Sequence, residues 1–407
     1  MKIGLLAYHS AINFGATLQL LSTFMYLKNH GHDPVIINWI ADGLEDFYNA
    51  STPVKQKLEH QQMRKTLWKE TSLCHTDRDI SKVIKQEEIE AVIIGSDAVC
   101  QHHTIWERLV FPCRKIIAVN PVTSDRIFPN AFWATWNQLL PHPIPVAILS
   151  ASSQDSEYRY FSKKTCREML QQITKYSYVS VRDAWTRDMF QYVTSGKIDP
   201  PVTPDPVFAF NNNASSLLPG KKELAKRFSL PDKYILISFL NKRVVSQQWL
   251  NEFQELAKSD GISCVKLPFS NDEGFGELDH IIHLPLSPIE WYALIKYSQG
   301  YVGNNMHPIV VSLHNAVPFF SFDNYGIKRF NGLLSSDKSS KIKHLVQLAG
   351  LSEYRISCFS RTFQVPAASD VYKKLNTFPI EISRMFSNNY YKLYEAMMLQ
   401  MIHSLNG

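Results

Sequence analysis

The run Gly303-Asn304-Asn305-Met306-His307-Pro308 joins one short apolar stretch to another. Between a strand and a helix, such a loop faces free backbone N–H groups and the positive end of the helix dipole. That is a place for an anion, with Asn304 and Asn305 as further hydrogen-bonding groups. His307 has an ordinary pKa close to neutrality, so there it can donate to a phosphate oxygen or move a proton. Its plainer reading is a histidine that completes the start of the helix.

Two other positions share this placement at a strand end. Asp97 follows the apolar residues 91–94 through Gly95-Ser96, where a carboxylate can meet an acceptor hydroxyl as ligand or base. Ser96 and Asp97 are equally good helix caps. Arg182 closes the apolar stretch 178–181, and a guanidinium suits a carboxylate or phosphate through two parallel bonds. Its alternative is an ion pair with Asp183. Near the amino end, His9-Ser10-Ala11-Ile12-Asn13-Phe14-Gly15 forms a polar loop ahead of a helix, bringing His9, Asn13 and Gly15 to a comparable position. The loop lacks GxGxxG, and neither a P-loop nor GxSxG occurs elsewhere, so dinucleotide, nucleotide-triphosphate and hydrolase readings are weak. Trp133, Trp136 and Tyr158 either stack on sugar rings or fill a core.

The elements that must position these groups alternate. Residues 2–7 read as a strand, Leu18, Leu21, Phe24 and Leu27 as one face of a helix, and residues 34–38 as a second strand after Gly31, which together make a βαβ unit of a parallel sheet. Residues 44–90 are polar and mostly helical in pattern, followed by strands at 91–94, 146–149 and 178–181. The stretch 195–233, rich in Pro, Asn, Ser and Gly, reads as an inter-domain linker. The rhythm then restarts with strands at 234–238, 264–267, 281–284, 300–303 and 317–322. Ser287-Pro288-Ile289-Glu290 reads as a capping box with proline in the first turn, and residues 306–315 as a helix. The aromatic and methionine stripe from Tyr390 to Met401 has the spacing of a packed helix face.

The expected architecture is α/β, two Rossmann-like lobes with parallel sheets and a cleft between them. Residues 1–205 form the first lobe and 206–383 the second, with a terminal helix over 384–407 able to pack back on the first. The 407 residues exceed the roughly 250–300 that one core organises. The net charge of +6 is dispersed, which excludes duplex nucleic acid as a partner and suits a small anionic ligand. Six cysteines without a CxxC pair imply neither a disulfide framework nor a metal site. The absence of a signal-peptide core and of a run of about 18 apolar residues leads to the expectation of a cytoplasmic or peripheral protein.

Taken together, Tyr8-His9-Ser10-Ala11-Ile12-Asn13-Phe14-Gly15-Ala16-Thr17-Leu18-Gln19, the block Ile93 to Val99, Ser180-Val181-Arg182-Asp183, Asp205-Pro206-Val207 and the run Tyr301 to Asp323 resemble the polysaccharide pyruvyl transferase family. The resemblance implies a glycosyltransferase-B-like fold and transfer of pyruvate from phosphoenolpyruvate to two sugar hydroxyls as a cyclic ketal, with phosphate released and no further cofactor. The acceptor would be a bacterial-type capsule or exopolysaccharide unit, free or lipid-linked, handled in the cytoplasm or at the inner face of the membrane. Arg182 would bind the donor's anionic groups, His307 its phosphate or a proton in transit, and Asp97 the acceptor, with His9, Asn13, Gly15, Ser96, Asn304 and Asn305 lining the substrates. The family commonly has arginine where this chain has Asn305. Loss of that guanidinium removes a charge-assisted bond of ~1.5–3 kcal/mol, so another cation must serve, and Lys242 and Arg243 are the candidates. A nucleotide-sugar glycosyltransferase, with Asp323 on the ribose, and a non-catalytic glycan-binding protein are the alternatives.

Overall fold

The computed structural model describes residues 1–113, 116–240, 242–271, 274–329, 334–359 and 363–406. Near-continuous apolar strands are what a parallel sheet covered on both faces requires, and two such sheets form. The first part of the chain contributes β1 (Lys2–Leu6), β2 (Asp33–Ile36), β3 (Ala91–Asp97), the antiparallel pair β4 (Leu109–Cys113) and β5 (Ile116–Val119), then β6 (Val146–Ala151) and β7 (Tyr178–Val181). Its helices are α1 (Phe14–Asn29), α2 (Leu44–Ser51), α3 (Val54–Leu67), α4 (Asp77–Gln86), α5 (Ile105–Arg108), α6 (Lys163–Ile173) and α7 (Ala184–Val193). The sheet order is β2-β1-β3-β6-β7, all parallel.

After α8 (Phe210–Ala214) and α9 (Lys221–Phe228), the second sheet is built from β8 (Tyr234–Ser238), β9 (Ser263–Lys266), β10 (His280–Ile281), β11 (Gly300–Gly303), β12 (Phe319–Asp323) and, beyond the antiparallel pair β13 (Ile327–Arg329) and β14 (Leu334–Ser336), β15 (Arg355–Ser357). The covering helices are α10 (Gln247–Ser259), α11 (Pro288–Lys296), α12 (Met306–His314), α13 (Lys341–Leu348) and α14 (Ala368–Asn376), and the long α15 (Ile380–Leu405) ends the chain. The order β10-β9-β8-β11-β12-β15 is again parallel. Chain order reverses between β1 and β3 in one sheet and between β8 and β11 in the other, and ligands of open α/β sheets bind at such reversals, outside the strands' carboxyl ends. The Tyr8–Asn13, Asp97 and His307 loops all lie at these two places.

Three expectations change. The stretch 195–233 is not a bare linker: Phe208 and Phe210 are fully buried and carry it against α1. Ser22 there donates to the Pro206 carbonyl at 2.7 Å, and the Asn213 amide, within α8, donates to the Ser22 carbonyl at 3.1 Å. Of residues 281–284 only Ile281 lies in a strand, the two-residue β10. The strand expected at 317–322 begins at Phe319, after Pro318, which has no N–H to give to a ladder.

The lobes are held by more than the chain connection. Phe14 of α1 lies against Trp291 of α11 with ring centroids 5.3 Å apart. The fully buried Gln56 of α3 both donates to the Leu286 carbonyl (2.7 Å) and accepts from its N–H (2.8 Å), completing a backbone that no strand pairs. α15 packs Tyr394, Met397, Met398 and Met401 inward, and the Met397 sulfur receives the Ser150 hydroxyl of β6 at 3.4 Å. The capping box at Ser287 and Glu290 forms with Pro288 in the first turn. Trp133, Trp136 and Tyr158 are core residues, not sugar platforms: both tryptophans are wholly buried and Tyr158 nearly so. No helix among the described residues is long and apolar enough to cross a membrane.

Candidate active site

Asn13 caps α1, its side chain accepting from the Ala16 N–H at 3.2 Å. This sets the first turn of α1 opposite the first turn of α12 in the other lobe. Gly15 lies so close to the His307 imidazole that a β-carbon there would stand 2.0 Å from Nδ1. Gly303 is a similar close approach, because its β-carbon would meet the Ser238 carbonyl of β8 at 2.3 Å. Glycine at both positions therefore lets the β11 loop sit tightly on β8 and lets His307 reach the first lobe. Asn305 is the residue before α12, and its side chain makes no capping bond. Asn304 is buried, with its N–H on the Ser238 carbonyl at 3.1 Å.

Asp97 ends β3 with φ at +82°, a left-handed conformation that aspartate tolerates better than most residues. No helix follows directly, so it is not a cap; its carboxylate instead faces two cations. The Arg182 guanidinium bridges Asp97 (3.1 Å) and Asp205 (2.7 Å), while the Lys341 ammonium stands 3.8 Å from Asp97. Asp183 is not Arg182's partner: it caps α7, accepting from the Thr186 N–H at 2.8 Å. Gln19 of α1 also donates to Asp205. The cluster thus draws Asp97, Arg182 and Asp205 from the first lobe and the stretch following it, and His307 and Lys341 from the second.

Burial alone would raise the Asp97 pKa, but Lys341, Arg182 and His307 together hold it down to about 2. Burial lowers that of His307, with Arg182 and Lys341 acting in the same direction and Asp205 and Asp97 against it, so the imidazole is neutral at pH 7. Burial and Arg182 bring Lys341 down to about 8 in spite of Asp97. An anion placed beside them would favour the charged form of both bases. Among the described residues, His307 Nε2 and Arg182 Nε are buried without a hydrogen-bond partner, as is the Ser96 hydroxyl.

Asp97 also opens on a cavity of about 500 Å³ in the first lobe, lined by Tyr8, Asn13, Tyr48, Gln101, Asp125 and Arg126 among others. Its size and its mixture of aromatic faces with hydrogen-bonding groups fit a sugar. Tyr8 donates to Asp125 at 2.7 Å on its wall. On the other side of the cluster, the space bounded by Arg182, Met306, Lys341 and His344 is about 10 Å³, the limit for a single water.

Of the residues singled out from sequence, His307, Asp97, Arg182 and Gly15 converge, and Asn13 lines the adjoining cavity. His9 stands apart, buried with Nε2 on the Asn38 side-chain oxygen at 2.8 Å and Nδ1 near the Ala7 carbonyl. Lys242 and Arg243 are exposed in the loop after β8; the cations acting most strongly on Asp97 are Lys341 and Arg182. Asp323 is fully buried and takes bonds from Tyr325 N–H (2.8 Å), Ser340 and Arg355 (2.6 Å), which leaves it poorly placed for a ribose. Sequence reasoning missed Lys341 altogether and saw Asp205 only as part of a motif.

Residues 13–325 match the family model described as polysaccharide pyruvyl transferase. The chain belongs to the polysaccharide pyruvyl transferase family. It is a transferase, and membership implies a glycan acceptor. The match includes Asp97, Arg182, Asp205 and His307 and ends before Lys341. No curated protein matches the chain. Among solved structures, UDP-GlcNAc 2-epimerase from Neisseria meningitidis superposes with a TM-score of 0.55 at 10% identity, covering 100% of this chain and 99% of the other. A UGT transferase from Siraitia grosvenorii gives 0.51 at 10% identity with 100% of both chains covered, and Os79 from O. sativa gives 0.51 at 10% identity over 99% and 100%. At such identities the likeness is one of fold, two Rossmann-like lobes of the glycosyltransferase-B type.

Proposed function

We propose that this pyruvyl transferase family member moves pyruvate from phosphoenolpyruvate onto two hydroxyls of a polysaccharide unit, free or lipid-linked at the inner face of the membrane, and releases phosphate. In that reaction the diol gives up two protons, one ending on the former methylene carbon and one on phosphate. C2 must pass through cationic character and be met by each hydroxyl in turn. The observation that carries the reading is the charged cluster spanning the two lobes beside the 500 Å³ cavity, because it sets an anion-stabilising group against a sugar-sized space through one shared residue, Asp97.

His307 takes the phosphate end and, once protonated by the donor's arrival, supplies a proton. Arg182 contributes its charge and the unpartnered Nε, and holds Asp97 in place. Asp97, ionised and reluctant to bind a proton, orients the attacking hydroxyl as an acceptor. A 10 Å³ void cannot admit the donor, so in this reading donor entry there requires the groups around the void to move apart. Incubation with phosphoenolpyruvate and a panel of galactose-, glucose- and mannose-type acceptors should give acceptor-dependent phosphate release. Its absence with every acceptor would sink the reading, and full activity in His307→Ala would remove that residue from it.

A further inference from the structure

The 10 Å³ void is small, but the nitrogen groups around it are unusually short of partners. The Lys341 side chain is 7% exposed and carries three N–H donors, yet among the described residues its nearest oxygen partner is Asp97 at 3.8 Å, beyond hydrogen-bond length. Arg182 Nε and His344 Nε2, both on residues that line the void, are buried without a partner, and His307 Nε2 beside it is in the same condition. Buried polar groups are almost always satisfied. Three buried nitrogens without a partner and an ammonium without a hydrogen bond, on or beside one void, suit a ligand rich in acceptor oxygens when the imidazoles carry their proton on Nε2.

The second lobe supplies three of the four. Lys341 is the first residue of α13, after the cap Ser340, and His344 lies one turn on. α13 packs on α12, which carries His307. A parting of the lobes would therefore keep these groups together on one body and leave Arg182 on the other.

We propose that Lys341, with His344, is the cationic ligand of the donor's phosphate or carboxylate, and so serves in place of a guanidinium at Asn305. The identification of that donor as phosphoenolpyruvate rests on the function proposed above; the anion site does not. Lys341 faces Asp97, Asp155 and Asp183 as well as Arg182, with His307 and His344 adjacent, and its pKa of about 8 means that free enzyme loses this charge as pH rises past 8.

The test is titration calorimetry of the full chain with inorganic phosphate and with phosphoenolpyruvate, each at pH 7 and pH 9, on wild type, Lys341→Met and Lys341→Arg. Expected are a tenfold or greater weakening for both probes in Lys341→Met, near-wild-type affinity in Lys341→Arg, and a fall in affinity from pH 7 to 9 in wild type that the arginine variant lacks. In turnover, Lys341→Met should raise the donor KM and leave the acceptor KM unchanged, a split that a merely structural role would not produce. Unchanged affinity in Lys341→Met overturns the proposal. Phosphate binding that depends on Lys341 without binding of phosphoenolpyruvate keeps the anion site and removes the donor assignment, whereas no binding of either probe by wild type overturns both. If melting curves show Lys341→Met unfolded, the pH comparison of wild type with Lys341→Arg decides: parallel losses from pH 7 to 9 reject Lys341.

Discussion

The contact between Gly15 and His307 can be tested by adding one methyl group. In Gly15→Ala the new carbon would lie 2.0 Å from Nδ1, 2.1 Å from Cγ and 2.4 Å from Cε1 of the imidazole, where ordinary contact begins at 3.4 Å. The ring has to retreat by about 1.4 Å (3.4 − 2.0), and overfilling a packed site of this kind costs ~1–3 kcal/mol. With the ring deleted by His307→Ala, the three atoms nearest to that methyl in the first turn of α1 are gone. Helix propensity then favours alanine over glycine by up to ~1 kcal/mol. The effect of Gly15→Ala should therefore change sign between the two backgrounds, giving a coupling of ~1–4 kcal/mol. Urea unfolding of wild type, both single variants and the double variant measures it. An equal effect of Gly15→Ala in both backgrounds would refute the contact and, with it, the closed arrangement of the lobes. In turnover, Gly15→Ala should lower kcat by about 100-fold, since a displacement of ~1 Å at a reacting group is enough for that.

Arg182→Leu leaves Asp97 and Asp205 facing each other in a buried site, and should destabilise the protein by ~3–5 kcal/mol at pH 7; urea unfolding that differs from wild type by under ~1 kcal/mol would contradict the pairing. Asp97 has a folded pKa of about 2 against ~3.9 unfolded, so it contributes ~2–3 kcal/mol that is present above pH ~4 and lost as pH falls towards 2. Asp97→Asn should flatten the stability profile over that interval, and identical acid limbs for the two proteins would argue against it. Gln56→Leu orphans the Leu286 N–H and carbonyl across the lobe interface; a loss of ~1–3 kcal/mol for each group left unsatisfied is expected in thermal or urea unfolding, and no loss would mean the two lobes do not rely on this latch.

Local rules made much of the fold legible. Apolar runs announced β1, β3, β6, β7, β8 and β11, the Ser287–Glu290 box announced the start of α11, and strand ends drew attention to Asp97, Arg182 and His307, because each of these signals lies within a few consecutive residues. Where they erred, particular residues explain two of the errors: Pro318 delayed β12, and the buried Phe208 and Phe210 turned a polar-looking linker into packed structure.

The sequence by itself determined two parallel α/β units, the polar ends of their strands, and a family pattern rich enough to name the reaction class. Only the tertiary structure decided which charges meet. Arg182 finds Asp205 and Asp97, not its neighbour Asp183, and His307 touches Gly15 from the opposite lobe. Lys341, ordinary in its polar segment, becomes a buried cation beside Asp97. Coulomb energy and desolvation depend on distance through space and on the water excluded around each group, and neither quantity is written in the spacing of residues along a chain.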